Sequence, residues 1–237
     1  MRIVRLKYVH SDPLFYRVKA SVVSASNLES AMLLANGSVC CGFVPVTLAS
    51  RYKLRVVPRV AIYSDGVVMS SRLFKGGGVG YAAVEDTTVS ALALKIALGI
   101  EFKRVPTLDG SLEQFGGVLI IGDDALKLVA RGVPHIYDVG EVWREKFGRP
   151  LIYAVFAASP QASRDEVIEA VEEVENSVAY FYENPKPVVE AAAARLGVSP
   201  SIVEKYYNVV KYLMGRRALE GLEFQTEAMG LDLQYFE

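Results

Sequence analysis

A buried run that empties without a linker into a helix constrains this chain more than any other feature. Residues 118–121 are strand-forming, Gly122, Asp123 and Asp124 follow at once, and an apolar-periodic segment comes next. That order predicts a buried strand, a tight turn and a helix N terminus. Gly122 lets the backbone turn sharply and approach a ligand, and Asp123 or Asp124 can cap the first helical turn.

The rest of the chain repeats this alternation for two thirds of its length. Residues 2–9 predict a first strand, broken by His10, Ser11, Asp12 and Pro13. Polar side chains at the C-terminal end of such a strand face a ligand crevice in an α/β sheet. Ser26 with Glu29 forms a capping box, and its helix stops at Asn36 and Gly37. Strands are predicted over 39–44, ended by Pro45, over 56–62, and over 67–74 after a turn at Ser64, Asp65 and Gly66. Gly76, Gly77 and Gly78 lack the Lys-Ser or Lys-Thr pair and the helix of a phosphate loop and predict a mobile turn. A short strand over 82–84 leads into Asp86, Thr87 and Thr88, which open a helix to Leu98. That start is either an anion site or ordinary capping. A strand over 102–105 and a polar connection over 109–116 complete this part. Beyond Ala158 the spacing is helical, with a second capping box at Ser163 and Glu166 and a helix from Ser199 and Pro200 to Met214. The pattern predicts an α/β protein with mostly parallel sheets and a helical C-terminal region.

Twenty-six basic side chains oppose 27 acidic ones without clustering, which argues against nucleic acid or an anionic membrane as partner. Cys40 and Cys41 are neighbours in an apolar run, where strand geometry sends them to opposite faces and predicts two buried, reduced thiols. No zinc-type spacing exists. The charged start has no extended apolar core, so the reading is neither signal peptide nor membrane span, and a cytoplasmic location.

Three longer motifs, IGDDAL from Ile121, YDVGEVW from Tyr137 and RPLIYAVFAA from Arg149, resemble the menaquinone-biosynthesis family that holds chorismate dehydratase and dihydroxynaphthoate synthase. The dehydratase branch is nearer. The likeness spans nearly the whole chain, through Tyr8 to Leu14, Val44-Pro45-Val46, Ile62 to Gly66, Ser70 before Leu73-Phe74, Thr87 with Ser90, and Tyr212 to Gly215. It implies the two-lobed fold of type II periplasmic binding proteins, with a ligand cleft between lobes. Lobe one would be 1–80 plus 159–237, lobe two 81–158, and the hinge would lie near 76–80 and 157–160.

The implied reaction removes water from chorismate to give 3-[(1-carboxyvinyl)oxy]benzoate, at the start of the futalosine route. It needs a grip on two carboxylates, a proton acceptor and a donor to the departing hydroxide, but no metal or redox cofactor. The residues implied are His10 as general acid or base, and Ser11 and Ser70 as hydrogen-bond donors. Thr87, Thr88 and Ser90 would anchor a carboxylate, with Gly122 and Asp123 on the inter-lobe turn. Asp123 either orients the donors or caps its helix. Lys7 and His10 stand where the family carries Ser and Asn, and Val46 and Val89 replace hydroxyl residues. These departures also admit a different carboxylated substrate. Two alternatives remain: a non-catalytic binder of a small aromatic carboxylate, and 1,4-dihydroxy-6-naphthoate synthase. The second is weakened because Ile121 leads to Gly122-Asp123 rather than to a catalytic His, and His135 predicts a loop or exposed position. Nothing in the sequence fixes the oligomeric state.

Overall fold

The computed structural model describes residues 1–237. The chain begins with β1 (Arg2–Leu6), a 3-10 turn (Val9–Ser11), α1 (Asp12–Phe15), β2 (Ser21–Ala25), α2 (Asn27–Ala35), β3 (Cys41–Pro45), α3 (Val46–Arg51) and β4 (Arg55–Ser64). It then builds a second sheet from β5 (Ser71–Lys75), β6 (Tyr81–Val84), α4 (Thr88–Leu98), β7 (Lys103–Val105), α5 (Ser111–Gln114), β8 (Gly117–Ile121), α6 (Gly122–Ala130), β9 (His135–Asp138) and α7 (Val139–Phe147). It returns with β10 (Leu151–Ala158), α8 (Arg164–Glu183), α9 (Pro185–Leu196), α10 (Pro200–Val209), β11 (Val210–Leu213), α11 (Arg216–Ala228) and β12 (Gln234–Tyr235).

The first sheet runs β2-β1-β3-β10-β4-β11, with β12 also beside β4, and the second runs β7-β6-β8-β5-β9. Two sheets flanked by helices give the predicted two-part α/β architecture. The pairing is mixed rather than mostly parallel. β1 lies parallel to β2 and β3, and β6 to β7 and β8, but β10 is antiparallel to both its neighbours and β5 to both of its own. The reason is the double crossing, because the strand that leaves a sheet and the one that re-enters run against those already there.

Those crossings also move the predicted boundaries. The chain passes to the second sheet over 65–70 and returns over 148–150, so β5 belongs to the second sheet and β10 to the first. The expected hinge at 76–80 is instead part of the second sheet's packing. Gly76, Gly77 and Gly78 donate to the carbonyls of Gly116, Leu112 and Phe115. A Cβ at Gly76 or Gly78 would stand 2.1 or 2.0 Å from a backbone oxygen, so the glycines serve close backbone approach.

β10 is the spine of the first sheet. Its side chains alternate between two cores: Ala154, Phe156 and Ala158 face the cluster beneath α8, α9 and α10, while Val155 and Ala157 face one shared with α2, α3, α4 and α7. The helix predicted from Ser199 to Met214 ends at Val209, because β-branched Val210 meets the open edge of β4 and the chain extends as β11. Tyr212 is therefore a fully buried strand residue rather than a helical one. His135 sits exposed on the edge strand β9.

Candidate functional site

Between the sheets lies a cavity lined by residues of both, mostly apolar with a few convergent polar groups, as small-molecule sites are. His10 enters it from the 3-10 turn after β1. That turn is braced on every side. Asp12 accepts from Arg5 at 2.5 Å and from Arg195 at 2.9 Å, Arg5 also donates to the Leu6 and Tyr8 carbonyls, and the Tyr207 hydroxyl donates to the Val9 carbonyl at 2.9 Å. The His10 Nε2 atom is enclosed and has no hydrogen-bond partner. Burial first, then the positive charges of Arg5 and Arg195, bring its pKa from 6.5 down to about 3, so the ring is neutral.

The N terminus of α4 opens on the same cavity with no side-chain cap. Its first amide N–H groups therefore lack both intrahelical and side-chain partners. Thr88 and Ser90 line the cavity, and each hydroxyl accepts a hydrogen bond, Thr88 from Thr47 at 3.1 Å and Ser90 from Ser71 at 2.7 Å. Their own protons are thus free to point at a ligand. Ser70 lines the cavity from the crossing segment. Its carbonyl accepts from Gly122 at 2.7 Å. The segment is pinned by Asp138, which is buried and accepts from Val68 (3.0 Å), Met69 (2.9 Å) and the Arg72 guanidinium (2.9 Å). Gly122, with φ +66°, brings β8's end against Tyr8, whose ring would lie 2.5 Å from any Cβ there.

Of the residues predicted for the site, His10, Ser70, Thr88, Ser90 and Gly122 come together around the cavity. Ser11, Thr87 and Asp123 do not. The Ser11 hydroxyl is buried within the 3-10 turn and does not line the cavity. Thr87 donates to the Val84 carbonyl at 2.6 Å and accepts from Arg104 at 3.0 Å, which fixes its hydroxyl away from α4's free amides. Asp123 accepts the Val9 N–H at 2.9 Å and faces an outer chamber with Lys7, Asp109 and Asp124. Burial pushes its carboxyl up.

Among the polar lining residues, Tyr8, Asn27, Ser71, Tyr153 and Tyr206 escape sequence reasoning, and Asp86 enters it only as part of the α4 start. The Tyr8 hydroxyl donates to Asp86 at 2.6 Å, Lys7 stands 3.5 Å from the same carboxylate, and the Asn27 amide donates to the Asp86 carbonyl at 2.8 Å. Tyr8 and Asp86 border both the cavity and the outer chamber and form the wall between them. No Lys or Arg lines the inner cavity, so an anion there is met by amides and hydroxyls alone.

The family model described as menaquinone biosynthesis matches residues 1–228. A chorismate dehydratase from Thermus thermophilus is 27% identical over 95% of this chain and 93% of its own. Among solved structures, protein AF1704 from Archaeoglobus fulgidus aligns over 97% of each chain with a TM-score of 0.76 at 19% identity. The alkanesulfonate-binding protein SsuA from Xanthomonas axonopodis pv. citri, bound to MOPS, covers 98% of this chain and 93% of its own, with a TM-score of 0.69 at 14% identity. These likenesses give the fold as that of the periplasmic binding proteins, two sheets with a cleft between them. With the match running from β1 to the end of α11, the chain belongs to the menaquinone-biosynthesis family.

Proposed function

We propose that the protein is a chorismate dehydratase-type hydro-lyase acting in the cytoplasm, at the entry to the futalosine route. One observation carries the reading: the unpartnered His10 Nε2 and the uncapped N terminus of α4 line one cavity. The relative at 27% identity supports the same chemistry. The ring carboxylate of chorismate is held by the free amides of α4 with the Thr88 and Ser90 hydroxyls. A proton leaves the ring carbon bearing the enol ether, and the hydroxyl leaves its neighbour with the bonding pair, so the ring becomes aromatic and one water forms. His10 takes the proton. A substrate with two carboxylates beside the ring favours the imidazolium and raises the pKa. Ser70 donates to the departing hydroxyl. The two lobes, divided at the crossings over 65–70 and 148–150, close on the substrate and exclude water.

The test is incubation with chorismate and identification of the carboxyvinyloxy-benzoate by chromatography and mass. Product forms faster than chorismate decays, and His10→Ala lowers kcat by about 10²-fold or more. Retained turnover in His10→Ala removes His10 from the chemistry. The likeness to SsuA favours a second reading, a non-catalytic carboxylate binder. Thermal stabilisation by chorismate without product selects it.

A further inference from the structure

The adjacent cysteines do not take opposite faces. Cys40 lies in the bend before β3, with its N–H donating to the Arg2 carbonyl at 2.9 Å and its carbonyl accepting from Ser159 at 2.8 Å. Cys41 opens β3, opposite Ile3 and Ala158. Gly42 follows with φ +149°, where a Cβ would stand 2.0 Å from the Val4 carbonyl oxygen, so the strand begins through a backbone open only to glycine. This irregular entry cancels the alternation. Both side chains pack on the same core, and their Sγ atoms are 3.0 Å apart. Cys41 is fully buried and Cys40 half-buried, so Cys40 is the member of the pair that solvent reaches.

We propose that Cys40 and Cys41 form a reversible oxidation site that closes to a vicinal disulfide by exchange with a small-molecule disulfide. The Cys40 thiolate attacks the disulfide, forms a mixed disulfide and expels one thiolate. Cys41 then loses its proton and attacks the Cys40 sulfur, expelling the second. Two protein thiols are oxidised, and one disulfide is reduced to two thiols. The division of roles follows from the surroundings. The hydrogen bond from Cys41 holds the Cys40 thiol below its ordinary range, whereas the same contact and burial hold Cys41 above it. The product is easily reversed. Neighbouring Cα atoms are about 3.8 Å apart, shorter than the roughly 4.4 Å minimum of ordinary disulfides, and strained disulfides are the labile ones.

Neither thiol lines the cavity, so the proposal stands apart from the lyase reading. The test exposes the reduced full-length protein to oxidised glutathione and follows its intact mass. The expected product has lost two hydrogen atoms and both titratable thiols, and dithiothreitol restores them. Cys41→Ser stops at a single glutathionyl adduct, Cys40→Ser does not react, and Cys40→Ser turns over chorismate as the wild type does. Phenylarsine oxide, which bridges paired thiols, blocks titration of both in the wild type and of none in Cys40→Ser, and this serves if Cys41→Ser fails to fold. A wild-type protein that accumulates a lasting glutathionyl adduct, or does not react, overturns the proposal.

Discussion

His10 enters the native state without its proton, and that leaves a mark on stability. Its pKa falls from 6.5 in the open chain to about 3 in the fold. Between those values the unfolded chain binds a proton that the native protein does not, so stability is complete above the upper value and declines as pH drops toward the lower. At pH 5 the loss is roughly 2 kcal/mol relative to pH 7. Asp123, whose carboxyl is pushed up, shifts stability in the opposite direction. Comparing the wild type with His10→Gln isolates the histidine. Denaturant melts at pH 7 and pH 5 should show that His10→Gln loses less stability on acidification, and equal losses would place a proton on the native ring.

At the scale of elements, Asp138 governs the outward crossing. It caps α7, binds Arg72 and holds the amides of Val68 and Met69, the latter at φ +64°. Asp138→Asn keeps an acceptor and a capping group but leaves the Arg72 guanidinium, 14% exposed, without its counter-ion. The expected cost is about 3 kcal/mol in urea unfolding, with a raised KM for chorismate as Ser70 loses its fixed position. Signals contained within four residues were readable in the sequence, as both capping boxes and the Ser199-Pro200 start show. Of the site residues that the resemblance implied, His10, Thr88, Ser90 and Gly122 stand at a strand end or a helix start, and Ser70 on the crossing. Thr87 went astray because a remote guanidinium, Arg104, claims its hydroxyl. The Asp138–Arg72 and Tyr8–Asp86 contacts carry no local trace, since the partners lie 66 and 78 residues apart. β11 was missed for a similar reason, because only the edge of β4 tells those four residues to stop being helical.

The whole molecule is closed by groups that reach from one sheet's elements to the other's. Tyr8, Lys7 and Asn27 hold Asp86, and the Val9 amide holds Asp123. Tyr8→Phe keeps the ring against Gly122 and deletes one hydrogen bond to a carboxylate, worth about 1.5 kcal/mol or tenfold in the balance of open and closed forms. Small-angle scattering should report a larger radius of gyration for Tyr8→Phe without substrate, and KM should rise. An unchanged radius would mean that packing alone keeps the cleft shut. The double crossing has another consequence, for the order of assembly on the ribosome. The second sheet uses one unbroken length, 71–147, whereas the first needs β10 between β3 and β4. During synthesis the inserted sheet has all its strands while β4 still lacks the neighbour that joins it to β3. The nascent N-terminal third therefore waits with β4 unpaired and one edge of β3 open, the segment most in need of a chaperone's cover.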